Sequence, residues 1–268
     1  MTPRLRVAGA CAAAWLVLAG CAGAPQATPP EPTRDLRTAS DQTESDRRAQ
    51  VRLELAAAYF GRGQSATALD EVKQALAARP EMHEAYNLRG LIYASMGEIK
   101  LAEESFQRAL QLNPRDIDTQ HNLAWFHCQQ GRYDEADRAF TQLLAQPQLQ
   151  TMVRTLFAQG VCQARAGRWA DAERTLSRSY ELDPANPVTA YNLSEVLLRR
   201  GEFERARFYV GRINANRELS NAQSLWLAAR IERRLGNAEG VQQWGRQLRE
   251  RYPQSPEALQ FDRGRFDD

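Results

Sequence analysis

The residue types that most often carry out chemistry are scarce in this chain, which has three histidines and four cysteines among 268 residues. His121 and His127 are six residues apart, which on a helix turns their side chains about 240° from each other, so they cannot grip one metal ion together. His83 stands alone, and His127 and Cys128 are adjacent, which places their side chains on different helix faces and argues against a Cys/His nucleophile pair. The sequence has no HExxH, CxxC, GxSxG or phosphate-loop motif. We therefore expect no enzymatic activity, no cofactor and no metal site.

Composition narrows the class of protein further. Hydrophobic residues make up 43% of the chain and charged residues 25%, which suits one or two soluble domains. The 35 basic and 33 acidic residues leave a net charge of +2, so nothing in the composition supports nucleic-acid binding. Glycine and proline are sparse, with 16 and 12 residues. Ala, Leu, Arg, Glu and Gln abound, which indicates a helical protein.

Any site must be positioned by the elements around it, and these elements repeat. Six glycines stand between helical patterns at spacings of 34, 34, 36, 34 and 35 residues: Gly63, Gly97, Gly131, Gly167, Gly201 and Gly236. Four of them are followed 17 residues later by a proline: Pro80, Pro114, Pro184 and Pro253. Glycine suits a left-handed turn between two helices, and proline ends the second helix. The pattern predicts six helical hairpins.

Small and large residues recur at fixed distances from the turn glycine. Small residues precede it by seven positions, as in Ala56, Gly90, Ala124, Gly160, Ser194 and Ala229. Large residues follow it by nine positions in the first five hairpins: Val72, Phe106, Phe140, Leu176 and Val210. Small residues let two helices approach closely, and the large residue fills the remaining space.

This register resembles the tetratricopeptide repeat family. The resemblance implies an all-α fold, a right-handed superhelix (solenoid) of six helix-turn-helix repeats. The repeats are expected at about 49–82, 83–116, 117–150, 153–186, 187–220 and 222–254, within a domain at 46–254.

Some repeats depart from this pattern. In the third, Pro147 comes one position early, and a short insertion follows near Gln148–Met152. The sixth has Gly245 where the others have a large residue, so we expect it to be weakly packed. Ser255 and Pro256 are typical of a helix start, which predicts a capping helix or tail at 255–268.

The N-terminus predicts export. Arg4 and Arg6 precede an apolar stretch that is too short to span a bilayer and reads as a signal peptide at 1–20. The following Leu18-Ala19-Gly20-Cys21 resembles the lipobox of bacterial lipoproteins, which implies lipidation of Cys21 and, with Ala22 after it, an outer-membrane destination. The alternative is a secreted protein with a chance cysteine. Residues 21–45 are proline-rich without an apolar period, so we interpret them as a flexible tether reaching roughly 25–30 Å.

Two cysteines are left once Cys11 and Cys21 are assigned to the signal peptide and the lipid. Cys128 and Cys162 lie one repeat apart on first helices, and stacked first helices are neighbours in this fold. In an oxidising periplasm they are a candidate disulfide. Buried free thiols that serve packing are the alternative.

The family lines a concave groove with the first helix of each repeat. Carried onto this sequence, that implies a partner groove formed by Leu53, Phe60, Asn87, Leu91, His121, Trp125, Phe157, Tyr191, Glu195, Trp226 and Arg230. Exposed aromatic residues are typical of interface anchors, although each one alone could equally be packed between helices. We expect the groove to bind an apolar or amphipathic protein segment, chiefly in repeats one to four.

A lipobox, six repeats and a short tether together resemble the type IV pilus biogenesis/stability lipoproteins, the PilF/PilW group. The resemblance implies a pilotin-like, monomeric scaffold on the periplasmic face of the outer membrane that binds the pilus secretin and promotes its localisation and multimerisation. The alternatives are a lipoprotein scaffold for peptidoglycan enzymes and a part of the outer-membrane protein assembly machinery.

Overall fold

The computed structural model describes residues 43–145 and 149–266. Within these ranges the chain forms thirteen α-helices and no strand. The helices are α1 (Glu44–Gly61), α2 (Ser65–Ala78), α3 (His83–Ser95), α4 (Ile99–Leu112), α5 (Ile117–Gln129), α6 (Tyr133–Leu144), α7 (Leu149–Arg165), α8 (Trp169–Leu182), α9 (Pro187–Arg199), α10 (Phe203–Asn214), α11 (Ala222–Arg234), α12 (Ala238–Arg251) and α13 (Pro256–Asp262). The predicted all-α solenoid is confirmed: six hairpins, each with a first (A) and a second (B) helix, precede the final helix.

The six turn glycines adopt the conformation that the sequence predicts. Each has a positive φ between 73° and 79°, in the left-handed region where a side chain is disfavoured. The prolines also act as expected, since α2 ends at Ala78 and α4 ends at Leu112, two residues before Pro80 and Pro114.

Close packing within each hairpin depends on the small residue of the A helix. A Cβ atom added at Gly90 would lie 2.7 Å from the ring of Phe106, and one added at Gly160 would lie 2.6 Å from Leu176. Phe106 and Leu176 are fully buried. The Phe106 ring also lies 5.8 Å from Phe126 in the next hairpin. The large B-helix residue therefore joins both the helices of one repeat and adjacent repeats.

The contacts between helices define the curvature of the stack. Each A helix contacts the A helix of the next hairpin, and each B helix contacts the next A helix. Among the described residues, no B helix contacts the B helix of the next hairpin. Because the A helices are closer together than the B helices, the stack curves with its A helices on the inner side.

Two helix starts differ from the predicted boundaries. Helix α1 begins at Glu44, inside the predicted tether, because the Thr43 side chain accepts a hydrogen bond from the Asp46 backbone N–H and Asp46 bonds back to Thr43 in a capping box. Helix α7 begins at Leu149, so most of the predicted insertion near Gln148–Met152 extends a helix. The predicted signal peptide, Cys21 and the tether up to residue 42 lie outside the described residues.

The C-terminal end contains the predicted capping helix. Ser255 starts α13 by accepting a hydrogen bond from the Ala258 N–H at 3.1 Å. The Phe261 ring fills the space next to Gly245, where the other repeats carry their own large residue. Leu225, Trp226 and Leu248 are buried in the same cluster. The expectation of a weakly packed sixth repeat is therefore wrong, because α13 supplies the missing side chain.

Candidate functional site: the inner groove

The inner face of the A helices, here called the inner groove, brings together most of the predicted partner residues. Those that are partly exposed are Leu53, Phe60, Asn87, Leu91, Trp125, Phe157, Tyr191, Glu195 and Arg230. The other two, His121 and Trp226, are buried, each with 8% of its surface exposed. Nine of the eleven predicted residues are therefore partly exposed on the A helices.

Trp125 of α5 is one of the partly exposed aromatic residues of this groove. The guanidinium of Arg165, at the end of α7, lies 4.9 Å from the centre of the Trp125 ring. This cation–π contact joins the A helices of repeats three and four and holds the indole in place. Tryptophan and arginine are the residues most often found at the energetic centre of protein interfaces. The sequence prediction missed Arg165, although it lies two residues before a turn glycine, where the family's groove residues also occur.

Polar contacts between successive A helices fix the register of the groove. The Asn122 side-chain amide donates to the Asn87 side-chain oxygen at 3.1 Å. Arg154 of α7 donates to Asp118 of α5 at 2.8 Å. Both pairs bridge neighbouring repeats, so the side chains of the groove are held by a rigid scaffold rather than by loops.

A second polar cluster lies on the A helices of repeats five and six. The Tyr191 hydroxyl donates to Glu195 at 3.3 Å, and Arg230 donates to the same carboxylate at 3.2 Å. Burial of the phenol, and then the nearby Glu195 charge, raise the pKa of Tyr191 well above its ordinary value. Tyr191 therefore keeps its proton and acts as a hydrogen-bond donor.

His121 belongs to the core rather than to the groove surface. Its Nδ1 lies 3.3 Å from the Thr155 hydroxyl of α7, and its ring meets Phe140 edge-on at 5.7 Å. Burial, followed by the nearby Arg154 charge, lowers the pKa of His121 to about 4. The imidazole is therefore neutral at physiological pH and is not available to a partner.

Trp226 is covered by the chain's own C-terminal segment. Its ring lies 6.3 Å from Phe261 and 4.9 Å from Phe266. Because α13 contacts α11 in the way that a further A helix would, the row of A helices ends at repeat six with Trp226 covered. Trp226 is therefore not part of the accessible groove.

Cys128 and Cys162 are joined in the structure, with their Cα atoms 5.8 Å apart, a separation usual for a disulfide. Both are buried, on α5 and α7. A disulfide bond between them would covalently link the A helices of repeats three and four, which the Trp125–Arg165 contact also joins. Oxidation in the native protein stays a prediction.

Two further features concern metal binding and membrane spanning within residues 43–145 and 149–266. No group of three or more His, Cys, Asp or Glu side chains there is arranged to hold a metal ion. Nor is any helix in the described ranges both long enough and apolar enough to cross a membrane. The geometry offers an aromatic and polar binding face.

Comparison with known proteins agrees with the fold. The chain belongs to the tetratricopeptide repeat family, whose repeats match residues 49–74, 83–116, 105–138, 122–187 and 163–231.

Two proteins of type IV pili are among its relatives. The chain is 25% identical over 209 residues to the type IV pilus assembly protein PilF of Pseudomonas aeruginosa, an alignment that covers 78% of this chain and 82% of PilF. The crystal structure of PilW, described as a widely conserved type IV pilus biogenesis factor, superposes with a TM-score of 0.73 at 27% identity, covering 79% of this chain and 96% of PilW. The structure of Pseudomonas aeruginosa PilF gives a TM-score of 0.69 at 23% identity, with coverages of 83% and 100%. The predicted resemblance to the PilF/PilW group is confirmed.

Proposed function

We propose that this protein is a non-enzymatic scaffold for type IV pilus biogenesis, which binds a segment of the pilus secretin in its inner groove and promotes secretin localisation and multimerisation. The observation that carries the proposal is Trp125, which is partly exposed in a preformed groove and is held by the stacked guanidinium of Arg165. The likeness to PilF and PilW supports the pilus assignment.

The groove suits a protein segment for physical reasons. Phe60, Trp125 and Phe157 lie on three A helices and are only partly covered, so an apolar partner that buried them would gain free energy. Because polar contacts between the A helices already fix the spacing of these side chains, binding requires little ordering of the groove. An amphipathic helix or an extended segment could dock in this way.

The proposal also includes the site of action. Lipidation of Cys21 would hold the scaffold on the periplasmic face of the outer membrane, and the tether would keep the bound secretin subunit at a high local concentration there. This part rests on the lipobox and on the proline-rich composition of residues 21–45. Cys21→Ser should move the protein from the outer-membrane fraction to the soluble periplasmic fraction.

The groove is tested with the double substitution Trp125→Ala and Phe157→Ala. Secretin multimers, seen as heat-resistant bands on gels, should fall several-fold, because two apolar anchors are lost. A matched control removes the same residue types from the outer helices α8 and α10, where Trp169 is 37% and Phe208 57% exposed. Trp169→Ala with Phe208→Ala should leave multimers unchanged.

Loss of folding is separated from loss of binding by a third variant. Arg165→Glu reverses an exposed charge at the groove without opening a core cavity, and it should also reduce multimers while the scaffold stays abundant. Normal multimers in both groove variants would contradict the proposal. Intact pili together with altered cell-wall enzymes or a general loss of outer-membrane proteins would favour one of the other scaffold roles.

A further inference from the structure

Five arginines of the described residues line one cavity outside the aromatic part of the groove. A cavity of about 520 Å³ separates the C-terminal ends of α9 and α11. The described residues that line it include Arg199, Arg200, Arg230, Arg233 and Arg234, together with Phe266, and none of them is acidic. We call this cavity the arginine pocket.

Internal neighbours neutralise part of this charge. Arg200 is paired with Glu173, and Arg230 with Glu195 at 3.2 Å. The ends of α9 and α11 each contribute about half a negative charge. Arg233 and Arg234 alone carry more positive charge than these two helix ends offset, and they do so in a volume typical of ligand-binding cavities, which are about 300–1,000 Å³.

Two of the arginines are held by stacking. The Arg233 guanidinium lies 4.8 Å from the centre of the Phe266 ring, and that of Arg234 lies 5.0 Å from Phe203. Among the described residues, no acidic side chain forms a salt bridge with Arg233 or Arg234. Stacking uses the face of a guanidinium and leaves the N–H groups at its edge free to donate. The pocket therefore presents oriented donors suited to carboxylate groups.

The pocket and the inner groove share the same positions of the repeat. Arg230 precedes its turn glycine by six residues, and Trp125 precedes Gly131 by the same number. Both therefore occupy equivalent places on the inner faces of α11 and α5. A chain lying along the groove would reach the pocket after passing Glu195 and Tyr191.

We propose that the arginine pocket binds an acidic peptide segment of the protein partner, with Arg233 and Arg234 donating to its carboxylates and Phe266 contacting an apolar neighbour. This rests on the proposed function, because the occupant is taken to be protein. A lipid headgroup is the less favoured ligand: a membrane surface is flat, whereas these guanidinium groups line a concave site with an aromatic wall.

The test uses the purified full chain in mild detergent and fluorescence anisotropy. The probe is a fluorescein-labelled hexapeptide of alternating aspartate and phenylalanine, and its control has asparagine in place of every aspartate. Arg233→Gln with Arg234→Gln should weaken binding of the acidic probe by at least about tenfold, since charge-assisted hydrogen bonds are lost. The asparagine probe should bind comparably weakly to both proteins.

A charge-matched control comes from helix α8. Arg174→Gln with Arg178→Gln removes the same charge from exposed pairs with Asp171 and Glu181, and it should leave the affinity unchanged. All measurements are repeated with Asp267→Asn and Asp268→Asn, so that the acidic residues following Phe266 cannot hide binding by competing for the pocket. Circular dichroism checks that every variant is folded.

Equal affinity for the acidic and asparagine probes in both backgrounds would overturn the proposal. Arginine-dependent sedimentation with phosphatidylglycerol vesicles, without arginine-dependent peptide binding, would assign the pocket to a lipid headgroup and would also overturn it. The groove proposal fails separately: Trp125→Ala with Phe157→Ala would then leave secretin multimers normal, whatever the peptide result.

Discussion

The C-terminal helix α13 supplies a buried side chain, Phe261, to the sixth repeat. Substitutions that remove this side chain, or replace it with one from the repeat itself, test whether α13 completes the packing of the solenoid. Phe261 of α13 is only 6% exposed and fills the space next to Gly245 of α12. The first variant, Phe261→Ala, empties that space. The second, Gly245→Leu, forces a side chain into it, and the third combines both substitutions.

The magnitudes follow from packing. Truncating a buried phenylalanine to alanine costs about 3–5 kcal/mol, and we expect about 3 because the seven-residue α13 can move inward. Gly245→Leu alone overlaps the Phe261 ring and costs about 1–3 kcal/mol, reduced by the roughly 1 kcal/mol that leucine gains over glycine in a helix. In the double variant leucine occupies the vacated space. Its stability should lie within about 1 kcal/mol of the original, which corresponds to a coupling of about 4 kcal/mol.

The assay is equilibrium unfolding in urea, followed by circular dichroism and by tryptophan fluorescence, whose agreement checks two-state behaviour. The control is Gly211→Leu on α10, where an added Cβ meets nothing within 4 Å and only the helix-propensity gain is expected. Additive losses in the double variant would refute the reasoning, because they would mean that Phe261 does not replace the missing side chain of the repeat.

Two further predictions concern buried groups of repeats three and four. The pKa of His121 is 6.5 in the unfolded state and about 4 in the folded state. As the pH falls, His121 is therefore protonated in the unfolded state before it is protonated in the folded state. His121 therefore costs no stability above about pH 6.5, and up to about 3 kcal/mol is lost as the pH falls to about 4; His121→Gln should remove that part of the pH dependence in urea titrations. If Cys128 and Cys162 are oxidised in the native envelope, mass spectrometry after alkylation without reductant should find neither thiol labelled. Reduction should then lower stability by up to about 4 kcal/mol for a sequence separation of 34 residues, and labelling of both thiols would contradict the disulfide.

The repeat architecture could be predicted because it depends on local rules. The turn glycines need a positive φ, and the prolines end helices wherever they occur, so spacing alone predicted the six hairpins. The pairing of Gly90 with Phe106 was predictable for the same reason, since both lie in one repeat at fixed distances from its turn.

The parts that sequence could not predict depend on contacts between distant segments. Gly245 suggested weak packing, because nothing in its own repeat indicates that Phe261 fills the space. Trp226 has the register of a groove residue, but α13 covers it. His121 also has that register, yet the Thr155 hydroxyl and the Phe140 ring hold it in the core.

The inner groove was predicted in outline, and its detail required the structure. Trp125 was identified by register, whereas the stacking of Arg165 on it depends on how α7 sits against α5. The sequence places Arg230, Arg233 and Arg234 in the sixth repeat, but it does not predict the arginine pocket that they line. Its concave form requires the C-terminal Phe266 and the end of α9, which lie far apart in the sequence.

The most direct test of the central claim is photocrosslinking in living cells with a benzophenone amino acid placed in the groove. A probe at Trp125 should form an adduct with the pilus secretin, and a probe at Trp169 on the outer helix α8 should not. Adducts of equal strength from both positions, or an adduct from the outer position alone, would contradict binding in the inner groove.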